Sequence, residues 1–173
     1  MIIYFQVFIS LLLFVSSITK IFNLTSFQKT IDQLEPIKMV KQLGAMTVII
    51  IELIIGITIL FKELLIFALI LLFLLLLSFL WAAVRAMSLH RLIDCNCFGG
   101  VTNESLGWGT ILKVVALALC GAVLLLSSTT LNIWNYPLKD ILGSLYFSIS
   151  ILTLYSLINI TIKLFESVIL YQE

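Results

Sequence analysis

Charged residues are scarce in this 173-residue sequence, and their scarcity decides the class of protein. They make up 11% of the chain, whereas apolar residues make up 62%. Soluble globular domains carry about 25% charged and roughly 45–50% apolar residues. A soluble fold of this length could not hide so much apolar surface, so lipid must be the solvent for most of the chain. We therefore predict one domain embedded in a membrane.

A large positive charge and the pattern of a signal peptide are also missing. The net charge is only +1 and no basic stripe with interleaved aromatic residues occurs, so nothing favours nucleic acid as a partner. The apolar amino terminus, residues 1–15, has no Lys or Arg before it and no small-x-small cleavage site after it. We interpret it as a retained first transmembrane helix and not as a removed signal peptide, and we expect no soluble domain at either end.

Five apolar stretches are long enough to cross a bilayer, which takes about 20 mostly apolar residues. Between the first two, residues 25–35 place Phe27, Ile31 and Leu34 on one helical face. This spacing predicts a short amphipathic helix on the membrane surface, with an irregular loop as the alternative. Only residues 62–63 separate the second and third stretches, which predicts a tight antiparallel hairpin. The five stretches are residues 2–19, 43–61, 64–86, 108–127 and 141–165.

The predicted fold class is all-α: a polytopic membrane protein with a four-helix transmembrane bundle plus a fifth, C-terminal transmembrane helix. The fifth helix carries many small polar side chains, which can hydrogen-bond across helices and so favour packing on the bundle. Nothing in it suggests catalysis. These residues are Ser144, Ser148, Ser150, Thr153, Ser156, Asn159 and Thr161.

Cysteines are also few, but two of the three, Cys95 and Cys97, stand one residue apart in the hydrophilic segment before the fourth stretch. The thiolate is the species that attacks disulfides, and its pKa falls beside cations and at helix amino termini. A disulfide between residues i and i+2 closes a very small ring, and strained disulfides are the labile, catalytic kind. This pattern favours a redox-active pair. Supporting residues are His90 and Arg91, which tune thiolate character, and Gly99 and Gly100, which permit the backbone turn.

Two other interpretations of the pair stay open at this point. The cysteines can be chemically inert loop residues. They can also bind zinc or copper together with His90, the only histidine, and Asp94. The spacing lacks a second ligand pair typical of zinc sites, so we assign no metal.

Two reactive side chains lie inside predicted spans. Cys120 is about 12 residues into the fourth stretch, roughly 18 Å from its start, so we expect it to act as a small buried hydrophobe. Glu52 lies near the middle of the second stretch, where an unpaired charge is expensive. It is either a proton relay for the thiol chemistry or a hydrogen-bonded or ion-paired residue that fixes helix packing. Lys20 and Lys113 are its candidate partners.

The run Cys95-Asn96-Cys97-Phe98-Gly99 resembles the Cys-x-Cys-Phe-Gly signature of MauE proteins. These are DoxX-like membrane proteins associated with methylamine utilisation and thiol redox chemistry. The resemblance covers residues 1–130 and leaves residues 131–173 as an additional transmembrane helix and a short tail. Ile49 departs from the pattern, where the family has proline, and Lys113 stands where arginine is more usual. Other matching positions are Lys20, Phe27, Glu52-Leu53-Ile54-Ile55-Gly56 and Leu106-Gly107-Trp108.

The resemblance implies a four-helix core, similar to DsbB- and vitamin-K-epoxide-reductase-like enzymes, with the pair of Cys95 and Cys97 at the outer membrane face. It implies a thiol–disulfide oxidoreductase that supports the maturation of exported proteins, and quinone as a candidate cofactor. With only one cysteine pair in this chain, the expected partner is a thioredoxin-like protein or an exported disulfide-containing substrate. The alternatives are a non-enzymatic accessory protein for assembly or export, and a metal-handling protein.

The charge distribution opposes an outward-facing pair. With five spans, eight of the ten basic residues fall on the side of the cysteines. Such a bias marks the cytoplasmic side, where thiols are kept reduced. We retain the outer face of the plasma membrane because of the resemblance. The eight residues are Lys20, Lys29, Lys38, Lys41, Arg85, Arg91, Lys113 and Lys163, against Lys62 and Lys139 on the other side.

A membrane-impermeant maleimide applied to intact cells tests the orientation. After an impermeant reductant has opened any disulfide between them, we expect Cys95 and Cys97 to be labelled before lysis, because the outward assignment places both thiols in contact with the external medium. A variant with both residues changed to serine is the control, since it retains only Cys120 inside a span. Labelling that appears only after lysis would show that the outward assignment is wrong.

Overall fold

The structure, a computed structural model, describes residues 2–34, 38–88, 108–126 and 136–170. Within these ranges the regular secondary structure is entirely helical, which confirms the all-α prediction. A short 3₁₀ turn, Lys62–Leu64, connects α3 to α4. The helices are α1 (Ile2–Phe22), α2 (Leu24–Leu34), α3 (Lys38–Thr58), α4 (Leu65–Ser88), α5 (Trp108–Leu126) and α6 (Leu138–Leu170).

Three segments in the described ranges are long and apolar enough to cross a membrane: Ile2–Phe22, Lys62–Ser88 and Leu138–Ile158. Two shorter apolar segments, Gln42–Thr58 and Thr110–Leu126, belong to α3 and α5. The full helices α3 and α5 have 21 and 19 residues, within the range of about 17–25 that spans the hydrocarbon core. The chain is a multi-pass helical membrane protein.

Polar contacts and close packing join α1 to α3. Ser10 Oγ donates a hydrogen bond to the Gly56 carbonyl at 2.7 Å, and Gln6 Nε2 donates one to the Ile59 carbonyl at 3.3 Å. Residue numbers rise along one helix as they fall along the other, so the two helices are antiparallel. Gly56 packs against Phe14 of α1, and a Cβ at this position would lie in ordinary van der Waals contact, 3.4 Å from the ring. Such contacts drive helix association in lipid, where burial of apolar surface adds little.

Helix α4 packs against both α3 and α5. Its short connection to α3 makes the two an antiparallel hairpin, as the sequence predicted. Leu69 and Leu72 of α4 meet Ile55 of α3 and Leu124 of α5 in one buried apolar cluster. The four-helix part of the bundle therefore consists of α1, α3, α4 and α5, each packed against the next.

The last helix, α6, packs along α1. The rings of Tyr4 and Phe147 meet edge to face with centroids 5.7 Å apart, and Ser144 and Ser148 are fully buried. Their hydroxyls donate to carbonyls of α6 itself, Ser144 to Ile141 at 2.9 Å and Ser148 to Ser144 at 2.7 Å. The prediction that α6 packs on the bundle is confirmed, but these serines contribute small size and not hydrogen bonds across helices.

The amphipathic helix exists as α2, which begins one residue before the predicted segment. It packs against α3, and its Phe27 side chain is only 5% exposed. Its position fixes what we call the α2 end of the bundle: the ends of α1 and α4 and the starts of α3 and α5. Since α4 ends at Ser88 and α5 begins at Trp108, residues 89–107 join the bundle at this end.

Candidate functional site

The cysteine pair and its immediate neighbours lie outside the described residues. Two other predicted site residues, Glu52 and Lys113, lie within them and can be placed. The predicted site residues outside the described ranges are Cys95, Cys97, His90, Arg91, Gly99 and Gly100.

Glu52 of α3 forms an ion pair with Lys20 of α1, and both side chains are only 1% exposed. Ser16, one turn before Lys20, places its hydroxyl 3.4 Å from each carboxylate oxygen of Glu52. Two buried charges can persist in an apolar interior only when they are paired and hydrogen-bonded. The arrangement therefore ties α1 to α3 at one fixed register.

The ammonium group of Lys20 points into the bundle although the residue lies near the end of α1. Side chains on a helix tilt toward its amino terminus, which here carries the group down to the level of Ser16. Two aromatic rings enclose it: the Phe27 centroid of α2 lies 5.3 Å from Nζ, and the Phe79 centroid of α4 lies 4.9 Å away. Cation–π attraction strengthens when the cation is desolvated. Lys20 thereby connects α1, α2, α3 and α4.

The geometry of Glu52 agrees with the interpretation that this residue fixes helix packing. Its ion-pair partner is Lys20. Lys113, the other candidate partner, places its ammonium 5.3 Å from the centroid of the Tyr155 ring of α6. The relay role of Glu52 stays a prediction, because an ion-paired carboxylate can still exchange a proton.

A cavity of about 310 Å³ lies between α1, α4, α5 and α6, and Glu52 of α3 also lines it. Lys20, Glu52 and Lys113 all line it, so the buried charges and the predicted supporting lysine share one space. Cys120, a half-buried free cysteine, lines its deeper part. The remaining wall is almost entirely aliphatic and aromatic. The structure thus brings the side chains of two lysines and one glutamate together around one apolar cavity.

One signal in the sequence was missed. Gln6, Ser10, Ser17 and Lys20 follow helical spacing along α1, and all four are buried. Polar residues at that spacing on an otherwise apolar helix mark the face that meets other helices, because lipid would leave their polar atoms unsatisfied. This stripe would have indicated that Lys20 faces the interior of the bundle.

Within the described ranges, no group of three or more His, Cys, Asp or Glu side chains could hold a metal ion. The ligands considered for zinc or copper, His90, Asp94, Cys95 and Cys97, fall outside those ranges.

The family model described as methylamine utilisation protein MauE matches residues 1–127. The match includes α1 to α5 and both Cys95 and Cys97, whereas α6 lies beyond it. No curated protein and no solved structure matches the chain. Ile49 is 3% exposed within an unbroken α3. Proline there would remove a backbone hydrogen bond, so isoleucine suits the continuous helix.

We predict that the Lys20→Met and Glu52→Gln variants are each less stable than the variant carrying both changes. Removing one partner of a buried ion pair leaves an uncompensated charge and costs about 3–5 kcal/mol, whereas removing both is often tolerated. Thermal unfolding followed by circular dichroism in lipid nanodiscs measures the difference. Lys139→Met, at the exposed start of α6, is the control and should shift stability by less than about 0.5 kcal/mol. Additive effects of the two changes would contradict a direct ion pair.

Proposed function

The chain belongs to the family of the methylamine utilisation protein MauE, and from that premise we propose that it is a membrane factor for thiol–disulfide exchange. The observation that carries the proposal is the pair Cys95 and Cys97, one residue apart, inside the part of the chain that the family model matches. In the sequence the pair lies between Ser88, the last residue of α4, and Trp108, the first residue of α5. Thiols at a membrane surface can meet a partner protein that the apolar spans cannot.

The exchange requires both sulfur atoms. One thiolate attacks a disulfide of the partner and forms a mixed disulfide, releasing one partner thiolate. The second thiolate of the pair then displaces the other partner sulfur, so the pair is oxidised to a disulfide and the partner disulfide is reduced to two thiols. The reverse sequence oxidises the partner. Two electrons and two protons move in either direction.

Two basic residues in the described ranges support this proposal, because they flank the segment that contains Cys95 and Cys97 in the sequence. Arg85 lies in the last turn of α4, with its guanidinium carbon 5.1 Å from the centroid of the Trp81 ring. Lys113 lies five residues into α5, whose amino terminus has the positive end of the helix dipole. Positive charge near a thiol favours the thiolate, the reactive form.

The partner we propose is a thioredoxin-like protein or an exported protein whose disulfides need maturation. A single cysteine pair cannot pass electrons to a second pair in the same chain, so the next carrier must come from outside it. Quinone stays a candidate carrier through the same resemblance. The family description adds methylamine utilisation as the process in which such a partner would act.

The proposed orientation places the pair outside the cytoplasm. The main objection, the excess of basic residues at the α2 end, loses part of its strength because Lys20 is buried and ion-paired with Glu52. The positive-inside rule counts charges in the loops that flank spans, and Lys20 is not one of them. The remaining excess of basic residues at the α2 end still opposes an outward-facing pair. The proposed orientation rests on the family resemblance.

A second candidate function is a non-enzymatic accessory that assembles or exports a partner. The family description favours it, because it names a process and not a reaction. In that case the cysteines would contact the partner without changing oxidation state. The two candidates differ in one observable, the formation of a covalent bond to the partner.

We predict that Cys95→Ser or Cys97→Ser traps a mixed disulfide with a partner protein. With one cysteine missing, the intermediate cannot be resolved and accumulates. The measurement is non-reducing electrophoresis after acid quenching and thiol alkylation, followed by mass spectrometry of the attached protein. The double serine variant is the control and should trap nothing. Absence of any covalent partner in both single variants would favour the accessory role.

We predict that Glu52→Gln leaves the rate of disulfide exchange unchanged in the folded protein, because the ion pair with Lys20 gives Glu52 a packing role. The measurement is the rate at which the reduced pair loses thiol reactivity when a disulfide substrate is added. The rate is normalised to the folded fraction, since the same variant lowers stability. A loss of about tenfold or more at full folding would instead assign Glu52 the proton relay.

A further inference from the structure

A groove of about 530 Å³ runs between α3 and α4. Within the described ranges these two helices alone form its wall. Leu43 of α3 and Leu74 of α4 line it and are 62% and 58% exposed, so the groove opens to the bilayer and not to the interior of the bundle. It extends along α3 from Leu43 to Ile51, a length of about 12 Å.

The wall of this groove is apolar in effect, although short polar residues form part of it. Gly44, Thr47 and Ser78 leave the space, because longer side chains would fill it. Thr47 Oγ1 donates a hydrogen bond to the Leu43 carbonyl at 2.8 Å. Ser78 Oγ donates one to the Leu75 carbonyl at 2.7 Å. Since both hydroxyls are satisfied within their own helices, the groove suits a hydrocarbon chain.

The face of α4 that lines the groove ends in a positive charge. Ser78, Trp81 and Arg85 are spaced three and four residues apart, so they lie along one face of α4. Trp81 is 52% exposed, and the exposed Arg85 places its guanidinium carbon 5.1 Å from the centroid of the Trp81 ring. A guanidinium has five N–H donors in one plane, a geometry that matches phosphate.

Arg85 lies at the depth of the phosphate groups of the bilayer. Helix α4 begins at Leu65, directly after the 3₁₀ turn whose charged residues, Lys62 and Glu63, mark the opposite surface. From Leu65 to Arg85 the helix rises about 30 Å, which is the thickness of the hydrocarbon core. Tryptophan is enriched at the same boundary. The groove therefore lies in the hydrocarbon region, and Arg85 lies where the headgroups begin.

We propose that the groove and Arg85 together bind one molecule of an anionic phospholipid. The phosphate accepts hydrogen bonds from the Arg85 guanidinium, and one acyl chain passes Trp81 and lies in the groove. An anionic headgroup suits this end of the bundle, because α3 also begins there with Lys38 and Lys41 in its first turns. Basic residues clustered at the ends of spans attract anionic lipids. Binding at this site does not depend on thiol–disulfide exchange.

A second copy of this chain is a poorer occupant of the groove. Two copies in the same bilayer and the same orientation are related by an axis along the membrane normal, so the same residue lies at the same depth in both. Pairing through the groove would bring the two Arg85 guanidinium groups toward each other at one depth. Like charges placed in this way repel, whereas the phosphate of a lipid neutralises the charge.

Quenching of Trp81 fluorescence by phospholipids with brominated acyl chains tests the proposal. Trp108 and Trp134, the other two tryptophans, are changed to phenylalanine in the test protein. Bilayers that mix brominated phosphatidylglycerol with unbrominated phosphatidylcholine, and the reverse, give the relative affinity of the two headgroups. We expect phosphatidylglycerol to bind about fivefold more tightly, the factor that one basic residue contributes near a membrane surface. Equal affinities, or no quenching by either lipid because a protein covers the groove, would overturn the inference.

Two matched pairs of variants locate the headgroup and the acyl chain. Arg85→Gln should abolish the preference for phosphatidylglycerol, whereas Lys139→Gln, at the exposed start of α6, should leave it unchanged. Thr47→Phe fills the groove and should weaken phosphatidylglycerol binding several-fold. Its control is Ile50→Phe, at an exposed position of α3 that does not line the groove, which should bind as the unchanged protein does. An unchanged preference in Arg85→Gln, or an unchanged affinity in Thr47→Phe, would refute the site.

Discussion

The buried ion pair of Lys20 and Glu52 is the constraint on which the described bundle depends. An unpaired charge in the middle of a membrane span is costly, so α1 and α3 must meet at the register that joins these two groups. The aromatic rings of Phe27 and Phe79 then bring α2 and α4 to the same point. Apolar side chains alone would not select this arrangement, because lipid solvates leucine as well as another helix does.

This constraint gives the proposed chemistry a rigid support. A thiol pair that exchanges disulfides must approach a partner, whereas the helices that carry it must hold their positions. The pair of Lys20 and Glu52 fixes the helices within the membrane, and α4 and α5 lead from there to the segment that contains Cys95 and Cys97. The cavity beside the ion pair lies between this support and α6, which the family model does not include. A helix outside the family match therefore completes a wall of the cavity.

The sequence predicted the helices well because apolar length is a strong signal in membrane proteins. The fourth predicted span, residues 108–127, differs from α5 by one residue at its end. The start of α3 was predicted five residues late, at Leu43 instead of Lys38, because the first turns of α3 contain Lys38, Lys41 and Gln42 and do not look apolar. Helix formation does not require an apolar sequence, so hydropathy marks the membrane crossing and not the helix boundary.

The long apolar stretches by themselves predicted a helical membrane protein, because a continuous apolar run of about 20 residues crosses the bilayer as a helix. The family signature and the candidate redox pair were also visible in the linear order of residues. Only the tertiary structure decided that Lys20, and not Lys113, pairs with Glu52, since the choice depends on which helices become neighbours. The cavity likewise has no counterpart in the sequence. Residues of five helices line it, and no single segment encodes it.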